Sequence, residues 1–169
     1  MSRQGIPDYF VTMRKDGAND SPVAGDFMDK YAAAGMDGRE IVRRINAQVG
    51  GNMSINMWQQ YASPVWMDIR PSHTLQKTSA RDDKDERHIC PLQLDVIERG
   101  VIMWSNPGDV VLSPFMGIGS EGVVSLRMKH RFVGVELKDS YYRQAVANLT
   151  DAAHAGTSGD LFSEAAPCE

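Results

Sequence analysis

Gly117, Gly119 and Gly122 stand in the order G-x-G-x-x-G. This spacing brings a backbone turn up against a nucleotide cofactor. The first glycine permits a tight turn. The second lets a ligand approach the main chain, and the third lets a helix pack closely on a strand. The apolar run Val110, Val111, Leu112 leads into the glycines, and a second run, Arg131 to Leu137, follows them. Glu136 lies near the end of that second run, seventeen positions past Gly119. An acid at about that separation is the usual acceptor for ribose hydroxyls. The glycines alone are a weak signal. Strand, turn, helix, strand and acid in this order make it a strong one.

The elements that must hold these residues are legible in part. The two apolar runs predict strands, with a helix opening behind Gly119 and another over Asp139–Leu149. Upstream, Leu94, Ile97, Val101 and Trp104 fall on one face of a helix that opens at Pro91. Short strands are expected at Asp8–Arg14 and Pro64–Ile69. Gly38–Asn46 reads as an amphipathic helix, with Ile41, Val42 and Ile45 opposite a solvated face of Arg39, Arg43 and Arg44. Residues 46–62 show no period, and 70–87 read as an exposed charged loop. The Ala/Gly/Ser-rich tail is expected to be disordered. Trp58, Tyr61 and Trp66 are core residues or, with the three arginines, a base-stacking and phosphate-binding surface. Tyr141 and Tyr142 read as helix packing.

The bulk numbers narrow the class. At 169 residues, 42% hydrophobic and 24% charged, the chain is of single-domain size and globular. A net charge of -4 argues against a basic grip on nucleic acid over the whole surface. Cys90 and Cys168 are far apart and no Cys/His cluster occurs, so neither a disulfide framework nor a metal site is expected. A reducing, cytoplasmic setting fits. No apolar run is long enough to cross a bilayer.

From Pro91 to Leu149 the chain resembles the amino-group DNA methyltransferases, in the permuted group whose catalytic motif precedes the cofactor motif. Asn106–Ser120 is similar to that family's PGD-x-VLDPF-x-G-x-G-[ST] motif, and Arg131–Tyr142 resembles its RF-[IV]-G-[IV]-E motif. Cys90, Pro91 and Leu92 resemble the segment before the cofactor motif, and Pro64–Ile69 falls where the family places a VW-x-I strand. The resemblance implies an α/β, Rossmann-like, S-adenosylmethionine-dependent fold that is incomplete in this chain. Residues 1–62 would be a remnant of the target-recognition region, 63–150 the cofactor-binding part and 151–169 a disordered tail.

Carried onto this sequence, the resemblance makes Ser113, Pro114, Phe115, Gly117, Gly119, Glu136, Leu137, His88, Cys90 and Pro91 the cofactor-binding residues. Phe115 and the glycine backbone would lie against the methionine part. Glu136 would hold the ribose, Leu137 would touch the adenine, and His88–Pro91 would close the other side. Ser113 stands where the family has an aspartate that helps to hold the cofactor's amino group. The catalytic motif [DNS]-P-P-[YFW] is absent, since every Ser-Pro or Asn-Pro pair in the chain lacks the second proline. No catalytic residue is therefore assigned. The chain reads as the C-terminal part of a phage or bacterial restriction-modification type of enzyme acting on double-stranded DNA. Its target is adenine N6 ahead of cytosine N4, on the greater number of adenine enzymes. A second polypeptide or self-association would complete the sheet. The rivals are a decayed or split module that binds cofactor or DNA only, and a nicotinamide-dependent oxidoreductase.

Overall fold

A computed structural model describes residues 9–39, 41, 53–75 and 91–157. Its elements are α1 (Phe27–Ala33), α2 (Met53–Tyr61), α3 (Leu94–Trp104), β1 (Val110–Ser113), α4 (Ser120–Arg127), β2 (Arg131–Gly134) and α5 (Asp139–Thr157). β1 and β2 are parallel, with Val110 opposite Arg131 and Ser113 opposite Gly134. A parallel pair needs a crossover, and α4 is that crossover, as expected.

Polar contacts at the lower end of the molecule fix the helix directions. The Ser105 hydroxyl, just past α3, lies 2.9 Å from Nε2 of His130, just past α4. The Lys30 ammonium donates to the carbonyls of Ile102 and Ser105 at 2.9 and 3.0 Å, satisfying acceptors that a helix C-terminus leaves open. Both helices therefore run down from the carboxyl ends of the strands, and both amino termini sit at the upper end. Burial pulls the Lys30 pKa below its usual value, against the opposing effect of Asp109.

One core cluster joins Phe27, Tyr31, Met57 and Tyr61 to Leu94, Ile97, Val101, Val124 and Met128. It runs without a break across the boundary expected at residue 62. Its polar seam is a stack. Arg99, 6% exposed, lies 4.7 Å from the ring centre of Tyr61 and 5.1 Å from that of Trp66. Trp66 meets Phe10 with centroids 5.9 Å apart, and Arg99 also donates to Asp68.

This stack explains three departures from the sequence reading. Residues 9–14 form no strand. Tyr9, Val11 and Met13 point outward, and Phe10 anchors the segment on Trp66. Residues 64–69 are irregular as well, because Trp66 donates to the Tyr61 carbonyl at 2.9 Å and Asp68 turns toward Arg99. Residues 53–61, which lack a clear period, form a helix because Met57 and Tyr61, four apart, are both driven into the core.

Elsewhere α3 begins at Leu94, three residues after Pro91, and Trp104 is 54% exposed instead of closing the apolar face. α5 runs to Thr157, past the expected end at Leu149, so the expected disordered tail is helical through Thr157. Gly38, Arg39 and Ile41 are helical. Arg43, Arg44, most of the charged loop and residues 158–169 lie outside the described residues.

Candidate cofactor site

The loop from Pro114 to Gly119 leaves the carboxyl end of β1 in a conformation only glycine takes readily. Gly117 has φ +53° and Gly119 has φ +88°, a region costly for residues with a Cβ. Gly122 serves packing instead. A Cβ there would strike Leu149 and come within 2.7 Å of the Phe132 ring. Gly134 on β2 is a fourth glycine of this kind, which the spacing did not single out, since a Cβ there would strike the Met116 sulfur.

The loop is fixed from both sides. The Met116 N–H donates to the Val135 carbonyl at 3.0 Å, Gly119 N–H to Met116 at 2.8 Å, and Asn148 Nδ2 to Ile118 at 2.8 Å. Glu136 ties it to the second strand: Oε2 accepts from Gly117 N–H and Oε1 from Lys138 N–H, each at 2.9 Å. An ionised carboxylate has about four acceptor sites. Two backbone bonds therefore orient this one and leave it room for a further pair of hydroxyl donors.

The predicted residues mostly converge. Ser113 is buried at the end of β1, where its carbonyl accepts from Val135 N–H at 2.9 Å. Pro114 is exposed. Phe115, 87% exposed, and Leu137, 96% exposed, stand at the two strand ends beside Glu136. Pro91 is half-buried just ahead of α3, at the same end of the sheet. His88 and Cys90 lie outside the described residues.

The aromatic surface does not assemble. Tyr61 is 3% exposed and Trp66 stacks on Arg99, while Trp58, 52% exposed, also contacts Phe27. Tyr141 packs on Ile118 under the Lys138 ammonium, 4.4 Å from its ring centre, and Tyr142 is half-exposed.

Two groups near this end were not singled out from sequence. Glu121, in the first turn of α4, is partly buried, and that burial pushes its carboxyl above the ordinary carboxylate range. Its signal was an acid directly behind the glycines. Asp95, in the first turn of α3, takes Arg70 at 2.6 Å and His73 at 2.7 Å. Burial pushes the Asp95 pKa up, but hydrogen bonds from Arg70 and His73 outweigh this and hold it well below the usual range. No sequence signal pairs Asp95 with residues more than twenty positions away. A groove of about 290 Å³ between α4 and α5, lined by Leu75, Val123, Arg127, Asn148 and Asp151, borders the glycine loop through Asn148 and Leu75, which contact Ile118.

A family model for DNA methylases matches residues 9–147, most of the chain. The chain belongs to the DNA methylase family. Among curated members, DNA adenine methyltransferase YhdJ of Escherichia coli K12 is 32% identical over 72 residues, 43% of this chain and 24% of its own length. Type II methyltransferase M1.MboII of Moraxella bovis is 40% identical over 58 residues, 34% of this chain and 22% of its own length. The methylase chain thus spans under a quarter of these relatives. Among solved structures, TTHA0409 of Thermus thermophilus complexed with S-adenosyl-L-methionine is 23% identical with TM-score 0.48. That match covers 83% of this chain and 41% of the other. Among the described residues no helix is long and apolar enough to cross a membrane, and no group of three His, Cys, Asp or Glu could hold a metal.

Proposed function

We propose that this methylase chain supplies the S-adenosylmethionine half-site of an enzyme that methylates an exocyclic amino group of double-stranded DNA. One observation carries the reading. Glu136 is held between the Gly117 and Lys138 N–H groups, at the carboxyl end of a parallel β-α-β unit. Ligands of open α/β sheets bind at that end. The residues present fit the cofactor: an oriented acceptor for a ribose, a bare glycine backbone, and two exposed apolar side chains, Phe115 and Leu137.

When bound, S-adenosylmethionine supplies an activated methyl group. The chain's own work is binding and orientation. Glu136 holds the ribose hydroxyls, Leu137 covers the adenine, and Phe115 with the Gly117–Gly119 backbone lines the methionine part. Ser113 and Pro114 form the floor, and Pro91, with His88 and Cys90 ahead of it, closes the opposite wall. Residues 63–150 form this cofactor part. Residues 1–62 are the end of the target-recognition region, whose helices α1 and α2 pack on it. The groups that hold the target amino nitrogen are assigned to a polypeptide segment outside this chain, because no [DNS]-P-P-[YFW] motif lies within it. Adenine N6 is the preferred target, in line with the adenine specificity in YhdJ's name. Acting on cellular DNA, the protein works in the cytoplasm.

Equilibrium binding of labelled S-adenosylmethionine, with NAD as competitor, tests the reading. Binding undisturbed by excess NAD is expected. Binding of NAD without binding of S-adenosylmethionine would point to the nicotinamide rival and sink this reading.

A further inference from the structure

Glu121 is an acid that the cofactor reading leaves without a task. It lies two residues past Gly119, on the same stripe of α4 as Val124 and Met128. Those two residues belong to the core cluster with Leu94, Ile97 and Val101 of α3, so the stripe faces α3. Because α3 and α4 run down together from the strand ends, Glu121 sits between their amino termini, one turn above Val124. It is thus directly behind the glycine loop.

The described surroundings leave the carboxyl unanswered. The influences on it are burial, which disfavours the ionised form, and its own backbone N–H, which favours it. Among the described residues no side chain hydrogen-bonds or pairs with it. A partly buried acid without a cation is a strained arrangement. The other polar groups of the loop are committed to the ribose or neutral. Glu136 is oriented by two backbone N–H groups and gives its remaining acceptor sites to the ribose hydroxyls, and Ser113 offers only a hydroxyl at the end of β1.

We infer that Glu121 is the anionic partner for the α-ammonium group of the cofactor's amino-acid part. This rests on the cofactor reading above and assigns one further contact within that site. The ammonium would bring the carboxylate the opposite charge and the donors that the described residues do not supply. The adenine and ribose, at the Glu136 end of the loop, would not sense the residue.

The test is calorimetric titration of wild type, Glu121→Gln and Glu136→Ala with two ligands. One is S-adenosylmethionine. The other is 5′-methylthioadenosine, which keeps the nucleoside and sulfur but lacks the amino-acid part. Glu121→Gln is expected to weaken S-adenosylmethionine by about tenfold or more, the scale of one charge-assisted hydrogen bond, and to leave methylthioadenosine unchanged. Glu136→Ala is expected to weaken both. Unchanged affinity of Glu121→Gln for S-adenosylmethionine would overturn the inference while leaving the cofactor reading in place. An equal loss for both ligands would overturn it too, by making Glu121 a support of the loop. A wild-type chain that binds neither ligand would overturn both readings. Glu121→Gln is nearly isosteric, and its unliganded melting temperature, expected at or above that of wild type, separates lost binding from lost folding.

Discussion

The two faces of the β1–β2 pair have similar composition and opposite fates. On one face Val111 packs against the main core, Phe132 lies under Gly122, and Gly134 meets Met116. On the other, Val110, Leu112, Val133 and Val135 are 48–64% exposed. They lead directly to Phe115 and Leu137 at the strand ends. Parallel strands are apolar on both sides because both sides are normally covered. Here helices cover one side and solvent the other. The contrast separates two jobs. The covered face holds the glycine loop and Glu136 in place, and the bare face is a surface for something else to cover. We propose that a second polypeptide or a second copy covers it, completing the sheet beside the cofactor site.

Charge placed on alternate residues of β1 gives the largest contrast. Val111→Lys is expected to destabilise the chain by about 3 kcal/mol or more, since the ammonium would lose water without gaining a partner. Leu112→Lys, one residue along, is expected to change stability by no more than about 0.5 kcal/mol. Denaturant unfolding of both, at concentrations too dilute for self-association, measures the difference, and equal losses would show that the chain itself covers the bare face.

Packing on the covered side gives the next effect. Gly122→Ala is expected to lower stability by about 1–3 kcal/mol, because its methyl must displace Leu149 and Phe132. A thermal melt checks it, and an unchanged melting temperature would mean that α4 sits farther from β2 than those close contacts require.

A smaller effect lies at the amino end of α3. The folded-state pKa of Asp95 is depressed, so its contribution to stability is full above the ordinary carboxylate pKa of about 4. That contribution is lost as pH falls further toward the folded value. Stability measured from pH 5 downward is expected to fall less steeply in Asp95→Asn than in wild type. Identical slopes would contradict the cluster with Arg70 and His73.

What the sequence disclosed follows the same division. The glycine turn, the crossover helix and the acid at position 136 were legible because their causes are local: positive φ at Gly117 and Gly119, and short apolar runs. The helix at 53–61 and the irregular stretch at 64–69 were not, because Arg99, far along the chain, organises Tyr61 and Trp66 around itself. Glu121 was visible as a letter, but its lack of a partner among the described residues appears only once α3 lies beside α4. The strand at 8–14 failed for a physical reason: apolar alternation predicts an extended chain, and a strand also needs a neighbour to pair with.

The most direct test of the cofactor reading is calorimetric titration of the wild-type chain and Glu136→Ala with S-adenosylmethionine. Wild type is expected to bind at about micromolar level, and the variant to bind at least tenfold more weakly with an unchanged melting temperature. Equal binding by both chains would show that the carboxylate held by Gly117 and Lys138 does not hold the ribose, and would contradict the account.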